Sequence, residues 1–124
     1  MTVVVADGLL SLMANHFDSL SPTFHALADP TRRAVLARLA DSPASVGELA
    51  EGHKMALPTF LQHIRVLEAG GLIATEKQGR SRICRLNPAR VAELEDWLAR
   101  QRMKWLAQTD RLETFLASGA DLNG

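Results

Sequence analysis

Apolar residues recur at helical spacing along most of the chain, and residues 56–67 carry the pattern with most to spare. Phe60, Ile64 and Leu67 fall at i, i+4 and i+7, which makes one apolar stripe on a helix of about three turns. Leu57, Pro58, Leu61, Gln62 and Arg65 lie on a neighbouring face that the stripe does not need. Upstream, Leu9, Leu10, Met13, Phe17 and Leu20 predict a helix over residues 7–17. Ser21-Pro22 then reads as an N-cap and a first helical residue, opening a short helix through Phe24, Leu27 and Ala28. Asp29-Pro30 repeats the signal, and Val35, Leu36 and Leu39 give the next helix a buried stripe ending near Asp41. Ser42-Pro43-Ala44 reads as a turn. Ser45 and Glu48, three apart, form a capping box for a helix whose inward residues are Val46, Leu49 and Ala50. With Gly52 to Met55 as the tight turn into residues 56–67, the two helices make a helix-turn-helix.

Past this pair the period changes. Ala56 offers no side-chain oxygen where an N-cap is wanted, a deficit of roughly 1 kcal/mol against serine, partly offset by Pro58 in the first turn. Gly70-Gly71 ends the helix through a left-handed cap. Residues 72–77 and 82–86 then read as two strands around the turn Gln78-Gly79-Arg80-Ser81. Two strands alone are marginal, so this hairpin must pack on the helices. Asn87-Pro88 caps a last helix running to about Leu116, on which Val91, Leu98, Trp105 and Leu112 recur every seven residues beside Leu94 and Phe115. Gln101 and Gln108 interrupt the seam. A helix of about 30 residues would overhang so small a domain, so its seam is expected to meet a second copy of itself.

Charge sharpens this picture. The 124 residues sum to zero formal charge, yet residues 53–90 hold seven cations against two anions, while the rest of the chain is net −5. A basic segment on a neutral chain is still an electrostatic footprint for phosphate. Gln62 suits bidentate pairing with adenine N6 and N7, and Leu61 suits either a thymine methyl or the core. Thr59 and His63 suit phosphate contacts, with a half-buried His63 satisfied by backbone as the competing reading. Lys77, Arg80 and Arg82 sit where a hairpin tip would reach phosphate or the minor groove, whereas Arg32 and Arg33 beside Asp29 and Asp41 read as structural ion pairs.

Other chemistries find little support. The single cysteine, Cys84, excludes an intramolecular disulfide and fits a reducing cytoplasm. The N-terminal apolar run lacks a basic start and is broken by Asp7, Gly8, Ser11 and Asn15, so it reads as neither secretory signal nor membrane span. No phosphate-cradling glycine loop, ordered nucleophile or carboxylate pair suggests an enzyme. His16, His25 and His53 are too scattered to specify a metal, and no cofactor is implied.

Five motifs in order carry a resemblance: Leu27-Ala28-Asp29-Pro30-Thr31-Arg32-Arg33, Ser45-Val46-Gly47-Glu48-Leu49-Ala50, residues 58–67, Gly70-Gly71-Leu72-Ile73 and Arg85-Leu86-Asn87-Pro88. Together they resemble the ArsR/SmtB family of winged-helix repressors over roughly residues 22–117. The resemblance implies a mainly α fold with a small β-hairpin wing, dimerising through its N- and C-terminal helices. It lays the chain out as an N-terminal helical extension (1–20), a winged helix-turn-helix DNA-binding domain (21–87), a long dimerisation helix (88–117) and a frayed tail (118–124). It implies a homodimeric repressor on inverted-repeat, double-stranded operator DNA. Leu57, Pro58, Thr59, Leu61, Gln62, His63, Arg65, Lys77, Arg80 and Arg82 would face DNA, and Val91, Leu94, Leu98, Trp105, Leu112 and Phe115 would form the dimer seam. Three departures matter. The family commonly has serine at the positions of Ala56 and Leu61, and the cysteine pair of its arsenic and cadmium sensors is replaced by Glu48-Leu49-Ala50-Glu51. The last helix also has no histidine for a zinc site. Two rivals stand beside this reading: a winged helix used for protein–protein assembly, and a sensor whose Met13, Trp97, Met103 and Trp105 line an apolar pocket for an effector not yet identified.

Overall fold

A computed structural model describes residues 20–118. The elements in order are α1 (Leu20–Leu27), α2 (Pro30–Asp41), β1 (Ala44–Ser45), α3 (Val46–Ala50), α4 (Leu57–Ala69), β2 (Ile73–Gln78), β3 (Ser81–Leu86) and α5 (Pro88–Ser118). The helix expected over residues 7–17 and the tail after Ser118 lie outside the described residues. The chain divides into a unit ending at Val91 and a second beginning at Ala92.

In the first unit the apolar stripes close on one another. Ala26 of α1, Val35 and Leu39 of α2, Val46 and Leu49 of α3, and Phe60, Ile64 and Leu67 of α4 are all buried, together with Leu72, Ile73 and Cys84 from the sheet side. Phe60 and Leu67 retain no exposed surface. Removing each such side chain from water contributes about 1.5–3 kcal/mol, which makes the predicted stripe of α4 the centre of the core. The end of α4 is a Schellman motif. The Leu72 amide donates to the Leu67 carbonyl (3.1 Å) and the Gly71 amide to that of Glu68 (2.9 Å), with Gly71 at φ +74°. Leu67 and Leu72, the apolar pair that accompanies this motif, are both buried. Gly70 is required for another reason: a Cβ there would stand 2.9 Å from the Pro22 carbonyl oxygen, where α1 abuts α4. Thr23 uses that closeness, donating its hydroxyl to the Gly70 carbonyl at 2.6 Å.

Four expectations need correction. Ser21 does not cap α1, because the helix already includes Leu20. The expected two-stranded hairpin is a three-stranded antiparallel sheet in the order β1-β3-β2, because Ala44 and Ser45, read as turn and cap, also pair with Cys84 and Ile83. A third strand supplies the lateral support that two strands lack. Strand boundaries move by one residue, leaving Gly79 (φ +62°) and Arg80 as the two-residue turn between Gln78 and Ser81. Finally, Ser45 accepts from the Glu48 amide at 3.0 Å, but the Glu48 carboxylate answers the Ser45 hydroxyl (3.1 Å) instead of a backbone amide. Two other caps follow expectation: Asp29 accepts from the Arg32 amide at 3.1 Å, and Ala56 makes no side-chain cap bond.

α5 opens at the sheet. Asn87 donates its backbone amide to the Leu72 carbonyl and its side-chain amide to the Gly71 carbonyl, both at 2.8 Å. Val91 then packs on the core of the first unit. From Ala92 onward the helix has no fully buried residue, and Leu98, Met103, Trp105, Leu106, Leu112, Phe115 and Leu116 are all exposed. Among the described residues no helix is long and apolar enough to cross a membrane.

Candidate nucleic-acid interface

α4 presents the face that its core stripe leaves over. Leu57, Pro58, Thr59, Gln62 and Arg65 are exposed, and Leu57 keeps 54% of its surface. Neither Gln62 nor Arg65 makes a hydrogen bond or ion pair with another described residue. A side-chain amide and a guanidinium left free on one helical face can both serve base edges or phosphate. The helix start is equally open: Ala56, in extended conformation (φ −63°, ψ 144°), leaves the first amides without a side-chain acceptor.

Leu61 and His63 sit differently from the rest of the expected set. Leu61 is half-buried against the core, so packing takes much of the surface a thymine methyl would need. His63 is half-buried as well, but side chains rather than backbone satisfy it. Its Nδ1 lies 3.0 Å from Arg32 Nη1 and 3.7 Å from Asp29 Oδ2. A guanidinium can only donate, so Nδ1 is the acceptor in this contact, and the carboxylate at 3.7 Å is beyond hydrogen-bond length. The Arg32 amide, with the nearby His63 and then the Arg32 guanidinium acting in the same sense against partial desolvation, holds the Asp29 carboxyl below its ordinary pKa of 3.8.

Arg32 and Arg33 are structural, but not as ion pairs with aspartates. Arg32 is 8% exposed and donates Nε to the Ala26 carbonyl (2.8 Å) and Nη2 to that of His25 (3.0 Å). Arg33 donates to the Leu27 carbonyl at 2.8 Å. Both therefore serve the carbonyls at the end of α1, where the His25 carbonyl also accepts from the Ala28 amide at 3.1 Å. The signal was present in the spacing. Arg32, Val35 and Leu39 share one face of α2 at i, i+3 and i+7, so the arginine had to enter the interior side.

The hairpin carries its cations outward. Lys77 faces Arg82 across the ladder, Arg80 occupies the turn, and all three are exposed. Lys77 and Arg80 have no partner among the described residues, whereas Arg82 donates to the Thr75 hydroxyl (3.0 Å), which donates in turn to Glu68 Oε2 (2.6 Å). That chain ties the hairpin to the last turn of α4. Cys84, beneath it, is wholly buried, and burial raises its thiol pKa above the ordinary value of 9.0, followed in effect by the Glu68 charge. It behaves as a small core residue with little thiolate.

Residues 27–76 match the model of a helix-turn-helix domain. The chain is 40% identical over 77 residues to the HTH-type transcriptional regulator Rv2034 of Mycobacterium tuberculosis, a match covering 62% of this chain and 72% of that one. It is 52% identical to the ArsR family transcriptional regulator RHA00566, whose crystal structure superposes with a TM-score of 0.68 over 70% of this chain and 96% of the other. The chain belongs to the ArsR/SmtB family. The homodimeric winged helix-turn-helix DNA-binding domain of Mb0332 from Mycobacterium bovis, 25% identical, superposes with a TM-score of 0.59 over 74% and 88% of the two chains. As an ArsR/SmtB protein this one is a winged helix-turn-helix transcriptional regulator, with α3 and α4 as the helix pair and β2–β3 as the wing. At α3 Leu49 is committed to the core, and among the described residues no three or more His, Cys, Asp or Glu stand together in a group that could hold an ion.

Proposed function

We propose that the protein is a cytoplasmic, homodimeric repressor that recognises an inverted-repeat operator, laying α4 in the major groove and the wing tip along the adjacent backbone. The observation that carries this reading is the free, outward pair Gln62 and Arg65 on α4, beside the uncommitted Lys77 and Arg80 of the wing. Gln62 pairs with adenine, and Leu57 supplies apolar contact for a thymine methyl. Thr59, Arg65, Lys77, Arg80 and Arg82 position the protein on phosphates. Dimerisation uses Leu94, Leu98, Trp105, Leu112 and Phe115 of α5, with Val91 at the edge of the seam. That stripe is supported by its seven-residue recurrence and by the exposure of Leu98, Trp105, Leu112 and Phe115 in a single chain, and a homodimeric relative agrees with it.

Selection of binding sites from random duplexes tests the reading. The expected product is an inverted repeat with half-sites about one helical turn apart. Gln62→Ala should relax preference at one base of each half-site, a loss of roughly 1–3 kcal/mol against the cognate base. Arg80→Ala should weaken all sequences alike and lower the salt slope by about 1. Failure to retain any duplex at low ionic strength would favour the protein–protein assembly module instead.

A further inference from the structure

We propose that Arg32, which lies outside the DNA-facing set, is a positioning residue that fixes the roll of α4 about its axis through His63. The inference rests on the operator-binding reading above. Apolar burial of Phe60, Ile64 and Leu67 holds α4 against the core, but burial is non-directional and tolerates small rotations. A hydrogen bond is directional. His63 stands between outward Gln62 and inward Ile64, on the flank of the helix, where a tether best resists rotation. The Arg32 guanidinium that holds it is itself immobilised by the carbonyls of Ala26 and His25 and by its own near-complete burial. Its backbone amide is fixed in turn by the N-cap Asp29. One planar cation thus joins the end of α1, the start of α2 and the middle of α4. Bidentate base recognition depends on such angular precision, whereas phosphate contact made by long cations tolerates a few degrees of roll.

The test uses the operator selected by the full-length wild type, a scrambled duplex of equal length, and salt titrations of both. His63→Leu removes the acceptor. His63→Asn keeps one, because its Oδ1 stands near the place of Nδ1. Arg32→Lys keeps the charge but cannot serve three acceptors in one plane; it replaces an alanine variant that would leave buried carbonyls bare. Thermal midpoints confirm that each variant is folded at the assay temperature. His63→Leu and Arg32→Lys should each weaken operator binding about tenfold, consistent with loss of one hydrogen bond to a charged group. Scrambled-duplex affinity and the salt slope should not change. His63→Asn should stay within about threefold of wild type, and the double variant His63→Leu with Arg32→Lys should lose no more than either alone. Equal loss on both duplexes with a shallower salt slope would make His63 a phosphate ligand and overturn the proposal. So would multiplicative losses, or an asparagine variant no better than leucine. A wild type that prefers no duplex would defeat the operator-binding reading itself, before any variant is compared.

Discussion

The two units treat their apolar surface in opposite ways. Up to Val91, every large aliphatic or aromatic residue predicted to point inward on α2, α3 and α4 finds a partner within the chain. From Ala92 onward, α5 exposes leucines, a tryptophan, a phenylalanine and a methionine, with Met103 at 68% of its full surface. Both regions have the periodicity of an amphipathic helix, so periodicity alone does not say where a stripe will be covered. The difference lies in neighbours. α4 is flanked by α1, α3 and the sheet within a short stretch of chain, whereas α5 from Ala92 to Ser118 is the sole described element of its unit. One seam is covered within the fold; the other is exposed in the single chain.

Substitutions can separate the two. Phe60→Ala should cost about 3–5 kcal/mol of unfolding free energy, since it empties the best-packed point of the first unit; denaturant midpoints measure it. Leu112→Asp should leave the secondary structure of the first unit in place. It should nevertheless dissociate the dimer by a factor of about 30 or more, the effect expected of a central interface position, with sedimentation as the readout. An unchanged mass together with a lowered midpoint would mean that Leu112 belongs to the fold and would erase the contrast. Ala56→Ser should add about 1 kcal/mol by supplying the missing cap of α4, visible as a raised midpoint; no gain would mean that the first amides of that helix already have acceptors.

Which parts were readable in advance follows from the range of the forces involved. Caps and stops are contests between neighbours, so Asp29, Ser45, Ala56 and Gly71 were each legible from a few adjacent residues. The stripe of α4 was legible for the same reason, and with it the face the core leaves exposed. β1 was not, because two residues become a strand only when Cys84 and Ile83, some 40 positions on, arrive beside them. The Arg32–His63 contact spans 31 positions and joins two helices whose separate patterns contain no mark of the pairing. His63 therefore looked as suited to phosphate as to the interior.

Local chain chemistry alone thus specified α2 to α5, the caps at Asp29 and Ser45, the Gly79 turn, the surplus face on α4 and the cationic wing, because each depends on backbone geometry and side-chain period over a few residues. Family membership was readable in the same way, from the order of short motifs. The third strand, the inward turn of His63, the guanidinium closing the end of α1 and the Arg82–Thr75–Glu68 chain were settled only when distant segments met. Directional hydrogen bonds between remote groups depend on relative placement in space, and no periodicity along the chain encodes it.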